Sequence, residues 1–241
     1  IRDCFVAQNP FTDLLTADYS QIEMRIMAHL SNDGGLIAAF ESGEDLHSTV
    51  ASLVFGVKAA EVDAEMRRTI KAMSYGLAYG LSSFGLAQTL DIDPASASEL
   101  MSKYFERFGG IRDYLKTVVS TAREKGYTET ILGRRRYLPD LNHENRMRRE
   151  VAERAALNAP IQGSAADMIK VAMIQIQDFL EKENLKSKMI LTVHDELVFD
   201  AHKDEVDYLK VQINKIMCEA MDLGVAMETG IGVGENWLEA H

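Results

Sequence analysis

Runs with strand character lie towards the two ends of this 241-residue chain, and the long stretch between them is patterned for helix. One short apolar run, DLLTAD, covers Asp13 to Asp18. Two more, Met189–Val193 and Leu197–Ala201, are separated only by His194-Asp195-Glu196, which predicts an antiparallel hairpin with a polar tip. A last strand is expected near Val225–Val233, after a helix over Asp204–Met221. Between these ends the apolar spacing is helical. It runs over Gln21–Leu30, then from Leu36 to about Leu90 with Gly34-Gly35, Gly43 and Gly56 as stops, then over Ala95–Lys125 with a break at Gly109-Gly110. Tyr127–Leu138 reads as a short hairpin or arm, and Asn142–Met173 as a helix interrupted at Pro160. Strands at both ends around a helical middle suggest an α+β sheet domain with a helical insertion. No internal repeat or low-complexity segment competes with that reading.

Composition narrows the function classes. No apolar run approaches the roughly 20 residues a bilayer span needs, and Ile1–Gln8 lacks the zones of a signal peptide, so a cytoplasmic, globular protein is expected. Cys4 and Cys218 have no metal-ligand spacing and read as two packed thiols. A net charge of -11 argues against a nucleic-acid partner, but its distribution matters more than its sum. Residues 181–241 hold 6 Lys/Arg against 13 Asp/Glu, whereas Arg134, Arg135, Arg136, Arg146, Arg148, Arg149 and Arg154 cluster between Ile131 and Arg154. That cluster is either a surface for a phosphate backbone or a solvated helix face.

Two carboxylates stand out for their positions. Asp18 sits where a strand gives way to a helix and Asp195 at a hairpin tip, so both fall at an edge of the same sheet, with Glu196 beside them. Mg²⁺ takes one or two such oxygens and fills its other positions with water and substrate phosphate. Each Asp also has an ordinary reading, as a cap or a turn residue. In the segment Met66–Gly80, Arg67, Lys71, Tyr75 and Tyr79 recur every four residues and form one slowly winding helix face. Cations followed by rings suit a nucleoside triphosphate; a packed aromatic stripe with solvated cations is the alternative. Gly76 and Gly80 inside that pattern imply that something comes close to the helix. Ser20-Gln21-Ile22-Glu23 matches a capping box. His47 is a possible phosphate contact. Arg154, Asn158 and Gln162, again four apart, could read minor-groove acceptors or simply cover a helix surface.

Four segments in consistent order carry a resemblance that covers nearly the whole chain: DYSQIEMR from Asp18, RRTIKAMSYGLAYG from Arg67, ERAALNAPIQGSAADMIKVAM from Glu153, and TVHDELVF from Thr192. They resemble the family A DNA polymerases, the bacterial DNA polymerase I group, with wording similar to actinobacterial members. The resemblance implies a palm sheet flanked by helices with a mostly helical fingers insertion: palm over 1–33, fingers over 34–150, palm again over 151–241. It implies template-directed DNA synthesis in replication and repair, by transfer of a nucleotide from dNTP to a primer 3′-hydroxyl with release of pyrophosphate. Asp18 and Asp195 would hold two Mg²⁺ ions with the carbonyl of Tyr19, one ion activating the 3′-hydroxyl and the other shielding the triphosphate. Glu196 and Lys71 complete the implied catalytic set. Arg67, Lys71 and His47 would grip phosphates, with Gln21 also at the nucleotide. Glu23 would block a ribose 2′-hydroxyl, which sets the chain apart from single-subunit RNA polymerases, and Tyr79 would stack near the templating position. Arg154, Asn158, Gln162 and His194 would touch primer and template.

Two departures qualify the resemblance. Position 75 is tyrosine where many members carry phenylalanine, which implies ready acceptance of dideoxynucleotides. The family's thumb, the rest of its palm and its upstream nuclease domains are absent, while GENWLEAH resembles its C-terminus. The sequence thus reads as a monomeric fragment, bacterial and nucleoid-associated, weakly active or inactive alone. A catalytically silent dNTP- or DNA-binding fragment and a two-metal nuclease are the competing readings.

Overall fold

The structure, a computed structural model, describes residues 1–43 and 45–241. In chain order its elements are β1 (Asp13–Tyr19), α1 (Ile22–Ser31), α2 (Gly34–Glu41), α3 (Leu46–Phe55), α4 (Ala64–Ala78), α5 (Ser83–Leu90), α6 (Pro94–Arg107), α7 (Gly109–Lys125), β2 (Tyr127–Glu129), β3 (Arg135–Tyr137), α8 (Arg146–Lys182), β4 (Lys188–Val193), β5 (Glu196–Ala201), α9 (Val206–Glu219), β6 (Thr229–Gly234) and α10 (Trp237–Ala240). The architecture is α+β, and the distant strands do meet. Contacts divide the chain into two units: residues 1–22, 165–222 and 226–241, and residues 23–164 with 223–225.

The first unit holds a four-stranded antiparallel sheet in the order β4-β5-β1-β6. β1 lies inside it, which is why DLLTADY is buried along most of its length, whereas the edge strand β4 is exposed at alternate residues. Register sets the two faces. Leu14, Thr16 and Asp18 share one face with Glu196 and Val198 of β5 and with Gly230, Gly232 and Gly234 of β6. Leu15, Ala17 and Tyr19 point the other way, where the Tyr19 hydroxyl donates to the Met217 carbonyl of α9 at 2.8 Å. On the first face, Leu14, Val198, Trp237 and Ala240 form a small core.

The second unit is helical apart from the β2–β3 hairpin. Its short helices are set by their caps: Asp33, Asp45, Asp63, Ser82 and Asp93 each accept a backbone N–H at the start of α2, α3, α4, α5 and α6. Asp33 also accepts from Gly110 N of α7 at 2.9 Å, so one buried carboxylate ties two helices together.

The structure departs from the sequence reading in five places. Gly34 and Gly35 open α2 instead of stopping a helix, because Asp33 caps them. Pro160 lies inside α8, which runs on without a break. Proline removes one i→i−4 bond, and buried Ala156, Ile161, Met168 and Ile169 hold the turns on either side in place. Glu196 is the first residue of β5, leaving His194-Asp195 as the hairpin tip. Gln21 has a left-handed backbone (φ 56°), and α1 starts after it, at Ile22. Cys4 is exposed and not packed. No helix among the described residues is long and apolar enough to cross a membrane.

Candidate active site

In the first unit, Asp18, Asp195 and Glu196 come together at one end of the sheet. Glu196 is the cross-strand partner of Asp18, and Tyr19 N donates to the Asp195 carbonyl at 3.2 Å, pinning the hairpin tip against the end of β1. Two non-glycine residues at this edge take left-handed backbone, Gln21 (φ 56°) and His194 (φ 57°). Such conformations cost on the order of 1–3 kcal/mol each and persist only where the surroundings enforce them. Gly230 faces Asp18 across the β1–β6 pair, and a Cβ there would stand 2.6 Å from Asp18 Oδ1, so the carboxylate occupies the space a side chain would fill.

Negative charge at this edge is under-compensated. Burial raises the Asp18 carboxyl above its ordinary value, the charges of Asp195 and Glu196 raise it further, and His241 pulls it back only in part. Glu196 is 3% exposed. Its Oε1 accepts from Trp237 Nε1 at 2.7 Å and lies 3.3 Å from His241 Nδ1, while Arg2 Nη2 stands 3.9 Å from Oε2. Among the described residues no three His, Cys, Asp or Glu groups are arranged to hold a metal ion by themselves. A hard cation of the Mg²⁺ type needs only one or two protein carboxylates. Asp18 and Asp195, hard oxygen donors in excess negative charge, fit such an ion.

In the second unit, α4 presents the predicted stripe. Arg67 and Lys71 are exposed and Tyr75 is half-buried, its ring 5.9 Å from that of His47. His47 is 3% exposed, and burial lowers its proton affinity despite the opposing charge of Asp45. Arg67 makes a bidentate pair with Asp45, Nε to Oδ2 at 2.9 Å and Nη2 to Oδ1 at 2.8 Å. That hydrogen bonding holds the Asp45 carboxyl well below the usual carboxylate range.

Tyr79 ends α4 in a Schellman turn: Leu81 N donates to Gly76 O at 2.8 Å and Gly80 N to Leu77 O at 3.0 Å, with Gly80 left-handed (φ 71°). A Cβ at Gly76 would meet Leu81 Cδ2 at 2.5 Å. What comes close to Gly76 is thus the chain's own Leu81. The Tyr79 hydroxyl donates to Glu23 Oε2 at 2.6 Å, and burial followed by that bond pushes its proton affinity up to about 12. Gln162 also bonds this hydroxyl. Arg154 and Leu157 flank Gly80, with their nearest atoms 3.1 Å and 3.0 Å from where a Cβ would stand. The structure thereby gathers Glu23, Tyr79, Gln162 and Arg154, while Asn158 keeps a buried Oδ1 without a protein partner. His194 stands exposed at its hairpin turn. The arginine-rich stretch is largely engaged internally, Arg135 with Glu129 and Arg146 with Glu150.

Sequence reasoning missed Asp45, Gly230 and Trp237. Asp45 was accessible through its D-x-x-S cap pattern, and Gly230 through the alternate glycines of TGIGVG. Trp237 carries no spacing signal.

Comparison with known proteins follows the same lines. The model for "DNA polymerase family A" matches residues 1–239. DNA polymerase I of Mycobacterium tuberculosis is 59% identical over 237 residues, 98% of this chain and 26% of that protein. DNA polymerase I of Geobacillus stearothermophilus is 43% identical over 240 residues, 100% of this chain and 27% of that protein. The chain thus spans about a quarter of the length of these relatives. Among solved structures, the polymerase domain of Pol1 from M. smegmatis, in complex with DNA primer-template and dNTP, matches with a TM-score of 0.97 and 57% identity, covering 100% of this chain and 42% of that one.

Proposed function

Because the chain belongs to DNA polymerase family A, we propose that it takes part in template-directed DNA synthesis in replication and repair, transferring a nucleotide from dNTP to a primer 3′-hydroxyl and releasing pyrophosphate. The observation that carries this reading is the convergence of Asp18, Asp195 and Glu196 at one sheet end with their charge under-compensated. Family A polymerases use divalent metals, and here the ions would be two Mg²⁺ held by Asp18, Asp195 and the Tyr19 carbonyl. When bound, such ions make a hydroxyl more acidic and neutralise phosphate charge.

The chain's own groups have separate work. Arg67 and Lys71 offer hydrogen-bond donors to the phosphates, Arg67 with its guanidinium already oriented by Asp45. His47, buried with its ring 5.9 Å from that of Tyr75, would add a phosphate contact on the same face. Gln21 and Tyr75 complete the nucleotide contacts. Glu23, fixed by the Tyr79 hydroxyl, stands against a ribose 2′-hydroxyl. Arg154, Asn158, Gln162 and His194 contact primer and template. The protein would work as a monomer in the bacterial cytoplasm, associated with the nucleoid.

Replacing the matching segment of the M. tuberculosis relative with this chain tests the reading. The chimaera should extend a primed template only with Mg²⁺ present, and Asp18→Asn or Asp195→Asn should abolish extension without loss of primer-template binding. Undiminished extension by either variant would end the proposal.

A further inference from the structure

The Glu196 carboxylate is committed before any ion arrives, and the element that commits it is α10. β6 makes room for this helix. Cβ atoms at Gly232 and Gly234 would run into the backbone of Ala240 and the side chain of Glu239, so the glycine face lets α10 lie directly on the sheet. The Thr16 hydroxyl donates to the Ala240 carbonyl, and Asn236 caps the helix by accepting from Glu239 N at 3.0 Å. The indole of Trp237 is then fixed on several sides. Its backbone N donates to Phe5 O at 2.9 Å, the Phe5 ring meets it edge-on at 5.4 Å, and the Arg2 guanidinium lies 5.0 Å from its centre. With no freedom left, its Nε1–H meets Glu196 Oε1 at 2.7 Å, with both side chains buried. A buried carboxylate whose oxygen already accepts a hydrogen bond is a poorer ligand but remains a full negative charge.

We infer that Trp237 is a positioning residue of the acidic edge: its indole N–H, with the imidazole of His241, occupies Glu196 Oε1, so that Asp18 and Asp195 take the cation and Glu196 acts on it through charge alone. This rests on the reading of the edge as a divalent-cation site. Groups behind metal ligands alter affinity by about 10–100-fold when removed; Trp237 stands one step further back, behind a carboxylate that is not a ligand, and its loss frees the Glu196 charge to move away from the ion, so the low end of that range applies.

The test uses the 241-residue chain and Mn²⁺ alone, free ion being counted by electron paramagnetic resonance. Trp237→Phe keeps a ring against Phe5 and Arg2 but loses the donor. It should weaken Mn²⁺ binding about tenfold, and adding it to Glu196→Ala should weaken binding no further. Unchanged affinity in Trp237→Phe, or an equal loss in the Glu196→Ala background, overturns the inference. Should Trp237→Phe not fold, the wild type decides. Trp237 is the chain's single tryptophan, so its ¹⁵N-indole resonance is unambiguous and should move as Mg²⁺ is added. A stationary resonance at saturating Mg²⁺ overturns the inference. Asp18→Asn separates the two levels. Mn²⁺ binding indifferent to Asp18 removes the cation-site reading itself, whereas binding that needs Asp18 but ignores Trp237 removes only the positioning role.

Discussion

Gly230→Ala adds a single methyl group, yet it should cost this site most of its activity. The added carbon would stand 2.6 Å from Asp18 Oδ1, whereas carbon and oxygen settle at about 3.3–3.6 Å. The carboxylate must therefore retreat by roughly 0.7 Å or more. It is the cheaper partner to move, because the methyl group is fixed to a strand paired with β1 over six residues. Gly230 is not among the glycines with positive φ, so alanine meets no backbone penalty there. A misplacement of about 1 Å at reacting groups costs on the order of 10²-fold in rate. In the chimaera described above, single-nucleotide incorporation should thus fall about 30–100-fold, with weaker Mn²⁺ binding by the isolated chain. The thermal midpoint should stay within about 4 °C, since roughly 1 kcal/mol moves a chain of this size by that amount. Wild-type incorporation by a folded Gly230→Ala protein would refute the argument, because it would mean that the position of the Asp18 carboxylate does not matter.

Other substitutions test other joints. Asp33→Ala removes the acceptor of Gly35 N, Leu36 N and Gly110 N; a lost cap plus an orphaned amide should cost about 2–4 kcal/mol, seen as a drop on the order of 10 °C in melting temperature. Tyr75→Phe should raise discrimination against dideoxynucleotides in single-turnover incorporation, and equal discrimination by both proteins would remove the proposed role of the hydroxyl. Glu205 is pulled up by burial but held lower overall by hydrogen bonds from Lys186 N and from the hydroxyl and N of Ser187. With its folded value depressed, it contributes stability above its unfolded pKa, and that contribution is lost as pH falls from about 4.5 through the folded value. Glu205→Gln should therefore flatten the acid limb of a stability–pH profile, and an unaltered limb would argue against the linkage.

Much of this was legible in the sequence from local pattern. DLLTAD reads as a strand ending in a carboxylate and the strand–turn–strand around Asp195 puts a second one at a hairpin tip, so their place at a sheet edge was readable although each Asp also fitted an ordinary cap or turn. The stripe of Arg67, Lys71, Tyr75 and Tyr79 followed from helical period alone. Local rules failed where distant packing outvoted them. Pro160 ought to stop a helix, but the buried residues on both sides keep α8 going. Gly34-Gly35 ought to separate helices, but Asp33 turns them into the start of one.

The most consequential omission was the meaning of TGIGVG. By propensity alone, alternate glycines describe a poor strand. By period they describe one face stripped of side chains, since residues two apart point the same way. That empty face is occupied at one end by the Asp18 carboxylate, opposite Gly230, and at the other by α10, opposite Gly232 and Gly234. α10 in turn delivers the indole to Glu196. A strand weak by every local measure thus sets the positions of two of the three acidic groups, directly for Asp18 and through Trp237 for Glu196. Filling its near end should cost activity more than stability, and filling its far end should cost stability first, because there the obstacle is backbone that cannot rotate away.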